Sequence, residues 1–211
     1  DYEYLENFGI QEVPHKKYLN DFLTGKYPDS FARGELYNDD PRLGDARLCG
    51  TTASLCGIER FGFEGNQEGV DRAVRYDITL HAFMLSQSGI PVIYSGDEIG
   101  QVNDYSYKDD PEKSDDSRYL HRGKFDWKLA ENRHDPATVQ GKLFPVLNKL
   151  EHIRSSHGIL NSNVPIHTID TWDNTILAFV RENDEEKFIG IYNFSENDKV
   201  AWINEEDGMY T

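Results

Sequence analysis

A short apolar run, Ile90 to Tyr94, constrains the fold more than any other feature of the sequence. It shows no polar alternation, which is typical of a strand buried on both faces of a parallel sheet. The chain becomes polar immediately afterwards, and Asp97 and Glu98 follow. Buried parallel strands of α/β barrels carry functional side chains at their C-terminal ends. The run therefore predicts a barrel-type strand that leads into a site.

One helix is predicted before this strand and one after it. Apolar residues recur at helical spacing over residues 68–87, and a second amphipathic pattern covers 135–157. In the second helix we expect Asp135 as the N-cap and Pro136 at the first helical position. Pro145 lies inside that pattern, so it is expected to bend the helix or delay its regular start.

The regions that precede the first helix and follow the strand are predicted to be mostly irregular. Residues 1–67 are aromatic and punctuated by glycine, with short helices expected at 15–23 and 48–58 and loops at 30–34 and 41–47. Residues 99–134 form a loop too long for a simple connection, and its aromatic residues disfavour disorder.

From Pro165 onward the apolar period changes to two, which predicts an antiparallel β domain. The candidate strands are Pro165–Ile169, Thr175–Arg181, Lys187–Phe194 and Lys199–Ile203.

Composition excludes several classes of protein. The 211 residues carry a net charge of −16, which disfavours binding to nucleic acid or to an anionic membrane. The longest apolar run is about five residues, whereas a membrane span needs roughly 20. Cys49 and Cys56 fit neither a disulfide framework nor a metal motif, and they are predicted to be buried thiols. The histidines lack zinc-ligand spacing, so a metal site is not expected. No cofactor is expected either.

The carboxylates and serine of the polar segments give weak catalytic signals. Asp97 and Glu98 are neighbours and point to opposite sides of an extended chain, so at most one faces a barrel interior. Asp115 and Asp116 have the same geometry if extended. A Ser114-His121-Asp116 triad is disfavoured because no nucleophile elbow precedes the serine.

Two arginines carry more information. Arg118 stands among charges of both signs and aromatic residues, and its planar guanidinium suits sugar hydroxyls or a partner carboxylate. Arg47, in the stretch Gly44-Asp45-Ala46-Arg47, has the same chemistry. For each arginine, the alternative is a structural role in bracing a loop.

Several motifs together carry a family resemblance. Pro91–Gly100 resembles the eighth barrel strand of the α-amylase superfamily, glycoside hydrolase family 13. Lys113–Arg122 is similar to the Lys-Ser-Asp-Asp-Ser-Arg-x-x-His-Arg stretch of its amylosucrase subfamily. Ser30–Gly34, Gly44–Arg47 and Asn132–Pro136 also match, in the same order and spacing.

The resemblance implies a fold of class α/β plus β: a C-terminal fragment of a (β/α)8 barrel followed by part of an antiparallel β-sandwich. Residues 1–67 would be the excursion after the seventh barrel strand. Residues 68–160 would be the last part of the barrel, and 161–211 the start of the C-terminal β domain. The strands that carry the family's catalytic carboxylates are missing, so this chain alone is expected to be inactive and to supply a pocket wall.

The resemblance also implies a reaction: transfer of glucose from sucrose to an α-1,4-glucan by a retaining mechanism. Sucrose, α-glucan oligosaccharides and the missing N-terminal part of the same enzyme would be the partners. Arg118 matches an arginine that pairs with an aspartate at the floor of the glucose pocket. Arg47 matches one that contacts the fructosyl or acceptor sugar, and Lys16 stands where the family can have an arginine at a surface oligosaccharide site. Alternatives are a sucrose hydrolase, another α-amylase-family glucosidase, or a non-catalytic glucan-binding module.

Overall fold

The structure, a computed structural model, describes residues 2–205 and combines helices with two small antiparallel sheets. The chain divides into two compact units. The first comprises Asp1–Asp77 and Tyr94–Phe144, and the second comprises Ile78–Ile93 and Pro145–Thr211. The mixed helix-and-sheet character that the sequence predicts is therefore confirmed. The region boundaries at residues 67 and 160 stay predictions.

The helices and strands have the following bounds. The helices are α1 (Tyr2–Glu6), α2 (Glu12–Leu23), α3 (Thr52–Cys56), α4 (Ile58–Phe63), α5 (Gln67–Ser86), α6 (Trp127–Ala130) and α7 (Val139–Ser156). The strands are β1 (Glu35–Asp40), β2 (Asp45–Cys49), β3 (His167–Ile169), β4 (Ile176–Glu182) and β5 (Lys187–Asn193). Short 3₁₀ turns lie at Asp97–Ile99, Tyr105–Asp109, Ser117–His121, Glu131–His134 and Gly158–Leu160.

The first unit is organised around the antiparallel hairpin of β1 and β2. The turn between them packs against α2, where the Asn20 side chain donates to the Gly44 carbonyl oxygen at 2.7 Å. Gly44 has a φ of +70°, and a Cβ there would lie 3.1 Å from the Lys16 Cβ. The turn therefore requires glycine both for its conformation and for the close approach of the helix.

Several local predictions in this unit need correction. The loop expected at 41–47 is wrong for residues 45–47, which belong to β2. Asp45 and Arg47 pair with Asp40 and Tyr37 of β1 across the hairpin. The helix expected at 48–58 is wrong for residues 48 and 49, which end β2, and two helices follow, α3 and α4, separated by Gly57 at a φ of +100°. Asp135 is not the N-cap of α7. Thr138 takes that position, where its Oγ1 accepts from the Gly141 N–H at 3.0 Å.

The predicted buried strand at Ile90–Tyr94 does not form within the part of the chain that the structure describes. Ile90 is 89% exposed and Val92 is 71% exposed. A buried parallel strand needs hydrogen-bonded neighbours on each side, and the described residues contain no parallel strand to pair with it. The barrel-fragment interpretation thus becomes a proposal about a larger protein.

The second unit contains the three-stranded sheet in the order β3-β4-β5. Three of the four predicted strands are confirmed, and the hairpin turn between β4 and β5 is held by Asn183, whose Oδ1 accepts from the Glu186 N–H at 2.7 Å. The fourth, at 199–203, is not a strand, although the Lys199 ammonium binds Asp173 at 2.9 Å. Helix α7 continues through Pro145.

The second unit has an aromatic core. The rings of Phe83, Phe179 and Tyr192 contact one another, with centroid distances of 5.5 to 6.4 Å. Beside them, the Tyr192 hydroxyl lies 2.7 Å from the Ser86 hydroxyl, so its polar end is satisfied where the ring is buried.

Two further sequence expectations concern exposure. Cys49 and Cys56 are free and buried, which confirms the prediction of buried thiols. Burial raises the pKa of the Cys56 thiol far above its ordinary value. Within residues 2–205, none of the helices combines the length and the apolar character that crossing a membrane requires.

Candidate functional site

Arg118 forms a two-point ion pair with Asp116 in the first unit. The Arg118 Nε donates to Asp116 Oδ1 at 2.8 Å, and Nη2 donates to Oδ2 at 2.7 Å. Asp116 also accepts the Arg118 backbone N–H at 3.0 Å, which starts the 3₁₀ turn Ser117–His121. The hydrogen bonds from Arg118 lower the pKa of Asp116 to about 2. Both charges are therefore kept over the whole neutral range.

Tyr37 links this pair to the hairpin. The Arg118 guanidinium carbon lies 4.5 Å from the centre of the Tyr37 ring, within the range of a cation–π contact. Tyr37 on β1 stands directly opposite Arg47 on β2. Side chains of directly opposed residues lie on the same face of a sheet. The structure thus brings Arg118 and Arg47, two residues singled out from sequence, to one face of the hairpin.

A cavity of about 530 Å³ opens beside this face. Three carboxylates line it, from Glu35, Asp39 and Asp115. Lys108 is the cation among the lining residues, and its ammonium already binds Glu35. The other lining residues are Leu36, Tyr37, Asn38, Tyr107, Ser114 and Ser117. The cavity is therefore polar, with an excess of negative charge.

Glu35 fixes one wall of the cavity. It accepts a hydrogen bond from the Tyr107 hydroxyl as well as from the Lys108 ammonium. Burial, and then the bond to Glu35, raise the pKa of Tyr107 well above its ordinary value. Tyr107 therefore stays a neutral donor at any physiological pH.

Asn103 anchors the segment formed by residues 105–118. Sequence reasoning did not identify this residue. The side chain of this buried residue accepts from the Thr51 N–H at 2.9 Å and donates to the Arg33 carbonyl oxygen at 2.5 Å. The Asn103 backbone N–H donates to the Ser54 hydroxyl at 2.9 Å. These partners lie about 50 to 70 positions away in sequence, so no local pattern reveals the contact.

Lys16 lies on α2 and bridges this helix to β2. Its ammonium forms ion pairs with Glu12 and Asp45, each at 2.5 Å. The hydrogen bonds that Lys16 donates, first to Asp45 and then to Glu12, raise its pKa. Lys16 does not line the cavity, and neither do Arg118 and Arg47 themselves.

The weaker catalytic candidates have local roles. Asp97 accepts from the Tyr94 N–H at 3.2 Å, and Glu98 accepts from the Gly96 N–H at 2.9 Å, so both brace their own turn. The His121 ring packs edge-on against Tyr94 with centroids 5.6 Å apart, and burial lowers its pKa.

Neither a triad nor a metal site is found in the described chain. Within residues 2–205, the buried His121 Nδ1 has no hydrogen-bond partner, so no bond from it to Ser114 forms the central contact of a triad. The same residues contain no cluster of histidine, cysteine, aspartate and glutamate side chains that could hold a metal ion.

Comparison with known proteins places the chain near a carbohydrate-active enzyme. No protein-family model matches it. Over 129 residues, the chain is 31% identical to glucosylglycerate phosphorylase of Escherichia coli (strain K12). The chain is a distant relative of an α-amylase-family enzyme. The match covers 60% of this chain, which spans about a fifth (22%) of the relative. The superfamily that the motifs resemble is thereby supported, whereas amylosucrase is not distinguished from other members.

Proposed function

We propose that these 211 residues are part of a larger retaining enzyme, called here the parent enzyme, that transfers glucose from sucrose to a hydroxyl of an α-1,4-glucan. The relation to an α-amylase-family enzyme and the ordered motifs support the superfamily. The observation that carries the proposal is the grouping of Asp116, Arg118, Tyr37 and Arg47 beside a polar cavity.

In the proposed reaction, the residues described here bind and orient sugars. Retaining glycosyl transfer needs two carboxyl groups about 5 Å apart, one as nucleophile and one as acid and base. We assign both to parts of the parent enzyme outside this chain. Arg118, held in one orientation by Asp116, presents donors to glucose hydroxyls and keeps the ring positioned for attack. Arg47, which is exposed on β2, contacts the fructosyl group and then the acceptor.

The charge of the cavity favours a neutral acceptor. Glu35, Asp39 and Asp115 line it, and the ammonium of Lys108 is already engaged by Glu35. A carboxylate-rich cavity repels a phosphate dianion, whereas carboxylate oxygens accept hydrogen bonds from sugar hydroxyls. Lys16 is left out of the proposed pocket because its ammonium is occupied by two carboxylates.

A second candidate is transfer of glucose to inorganic phosphate. The name of the relative, glucosylglycerate phosphorylase, favours it. Arg47 is the residue of this site that would bind the anion, because a guanidinium matches phosphate with two parallel hydrogen bonds. The remaining alternatives are hydrolysis of sucrose and a non-catalytic glucan-binding role.

Product analysis separates these candidates. The parent enzyme is incubated with sucrose and a short α-glucan primer, with and without phosphate. Elongated glucan together with fructose, unchanged by phosphate, is the expected result. Phosphate-dependent glucose 1-phosphate would identify a phosphorylase, and equimolar glucose and fructose would identify a hydrolase. Glucan binding without any turnover of sucrose would leave only the binding module.

A further inference from the structure

Trp172, in the second unit, combines two costly features. Its φ is +51°, in the left-handed region that bulky residues rarely adopt, and its side chain is 70% exposed. Glycine or asparagine would take this conformation at lower cost, and neither would expose an indole to water. Backbone strain of this kind persists where the surroundings enforce it, and such positions cluster at ligand-binding sites.

The turn around Trp172 is rigidly held. The Trp172 N–H donates to the Asp170 carboxylate at 2.8 Å. Asp173 accepts from the backbone N–H and the hydroxyl of Thr175, at 2.9 and 2.6 Å. The buried Thr171 hydroxyl lies 2.9 Å from the Ile176 carbonyl oxygen, which ties the turn to the start of β4. The indole is therefore presented in a fixed position, and binding would order little additional backbone.

A second exposed indole belongs to the segment attached to this turn. Lys199 binds Asp173 at 2.9 Å, and Trp202 follows three residues later with 73% of its side chain exposed. Three residues of extended chain span about 10 Å. An elongated ligand that starts at Trp172 can therefore reach the neighbourhood of Trp202.

The chemistry of the turn selects the ligand. A flat indole face stacks on the apolar C–H face of a pyranose ring, while polar groups at its edge bond the hydroxyls. Asp170 and Asn174, two residues before and after Trp172, are both exposed and supply such groups. The carboxylates and the net charge of −16 oppose an anionic ligand such as a nucleic acid. A neutral polyhydroxylated chain fits these conditions.

We infer that the turn Asp170–Asn174 is a surface binding site for an α-glucan chain, with Trp172 as its stacking platform. The general carbohydrate chemistry follows from the turn itself, and the choice of an α-glucan rests on the proposed function. Bound there, the glucan is retained on the second unit while its end is free to be extended.

The test is electrophoresis of the parent enzyme through native gels with and without glycogen. Glycogen is expected to retard the wild type. The variant Trp172→Gly removes the indole but keeps the turn, since glycine adopts a φ of +51° without strain. It is expected to bind glycogen about tenfold more weakly. Trp127→Ala, which removes an equally exposed but unstrained indole at the start of α6, is expected to migrate as the wild type does.

Equal retardation of Trp172→Gly and the wild type would overturn the inference, as would a wild type that glycogen does not retard. Equal weakening by both variants would also contradict it, because the effect would not be specific to the turn. Retardation requires no turnover. A failure of the sucrose reaction together with Trp172-dependent retardation would therefore refute the proposed function and leave the binding site standing.

Discussion

The guanidinium of Arg118 lies 4.5 Å from the centre of the Tyr37 ring while its nitrogens hold both oxygens of Asp116. Arg118 is thus fixed from two directions, by a carboxylate two residues before it and by an aromatic ring on a strand far away in sequence. This arrangement explains how a side chain on a loop can keep one orientation for a ligand.

Replacing Arg118 tests its proposed role in sugar orientation. In the parent enzyme, Arg118→Ala is expected to lower kcat/KM for sucrose by a factor of roughly 100 or more. Arg118→Lys is expected to recover little of this loss, because an ammonium cannot reproduce the two-point contact with Asp116. Steady-state kinetics with a folded variant is the measurement. Near-normal kcat/KM for Arg118→Ala would identify Arg118 as a loop brace.

Arg47→Ala is the matched variant on the same hairpin face. Removing this guanidinium is expected to weaken sucrose binding and to change the ratio of transfer to hydrolysis, while glucosyl chemistry persists. The measurement is KM for sucrose together with the ratio of glucan to free glucose. A loss confined to kcat, with the product ratio unchanged, would contradict the assignment of Arg47 to the acceptor side.

The pH dependence of the Arg118 contact follows from Asp116. Its pKa falls from an ordinary 3.8 to about 2, with the hydrogen bonds from Arg118 as the main cause. A lowered folded-state pKa means that the pair stabilises the fold fully above about pH 4 and loses this contribution as the pH falls towards 2. The NMR signal of the Arg118 Nε–H should stay constant from pH 8 to 5 and shift below pH 4. In Asp116→Asn this shift should be absent, so a persisting shift would trace it to another group.

Sequence patterns predicted the helices and strands whose apolar periodicity is contained in their own residues. The helices over residues 68–87 and 135–157 and three antiparallel strands were recovered because their apolar periods are set by their own residues. Ile90–Tyr94 was mispredicted as a strand because a strand exists only with partners, and the described residues supply none.

Part of the candidate site was also predictable from the sequence. Arg118 and Arg47 were found from residue type and motif, but their common proximity to Tyr37, which contacts Arg118 and stands opposite Arg47, depends on the register of the hairpin. Asn103 could not be found, since its contacts with Arg33, Thr51 and Ser54 are distant in sequence and an isolated asparagine carries no pattern.

Arg181 gives a stability prediction for the second unit. Its side chain is fully buried, and the guanidinium donates to the carbonyl oxygens of Ser86 at 2.9 Å and Val164 at 3.0 Å, as well as to that of Asn161. Arg181→Met should leave these acceptors without donors and lower the free energy of unfolding by about 3 kcal/mol. Denaturant titration measures this loss.

The control for Arg181 is an exposed arginine with a local partner. Arg42 pairs with Asp40 two residues away and is 86% exposed, so Arg42→Met should change the free energy of unfolding by less than about 0.5 kcal/mol. If the two variants were equally stable, the carbonyl oxygens around Arg181 would have to be satisfied by water.

Gly44 offers a matched pair of glycine substitutions in the first unit. Gly44 and Gly9 have similar φ angles, +70° and +77°, so alanine at either position carries the same backbone cost of about 1 kcal/mol. At Gly44 the added Cβ would also lie 3.1 Å from the Lys16 Cβ and 3.1 Å from the Val13 carbonyl oxygen, whereas at Gly9 it meets nothing within 4 Å. Gly44→Ala should therefore destabilise the protein by about 1 kcal/mol more than Gly9→Ala. Thermal unfolding of the two variants measures the difference. Equal destabilisation would mean that α2 moves away from the hairpin turn without cost, and that the close packing of these two elements does not contribute to stability.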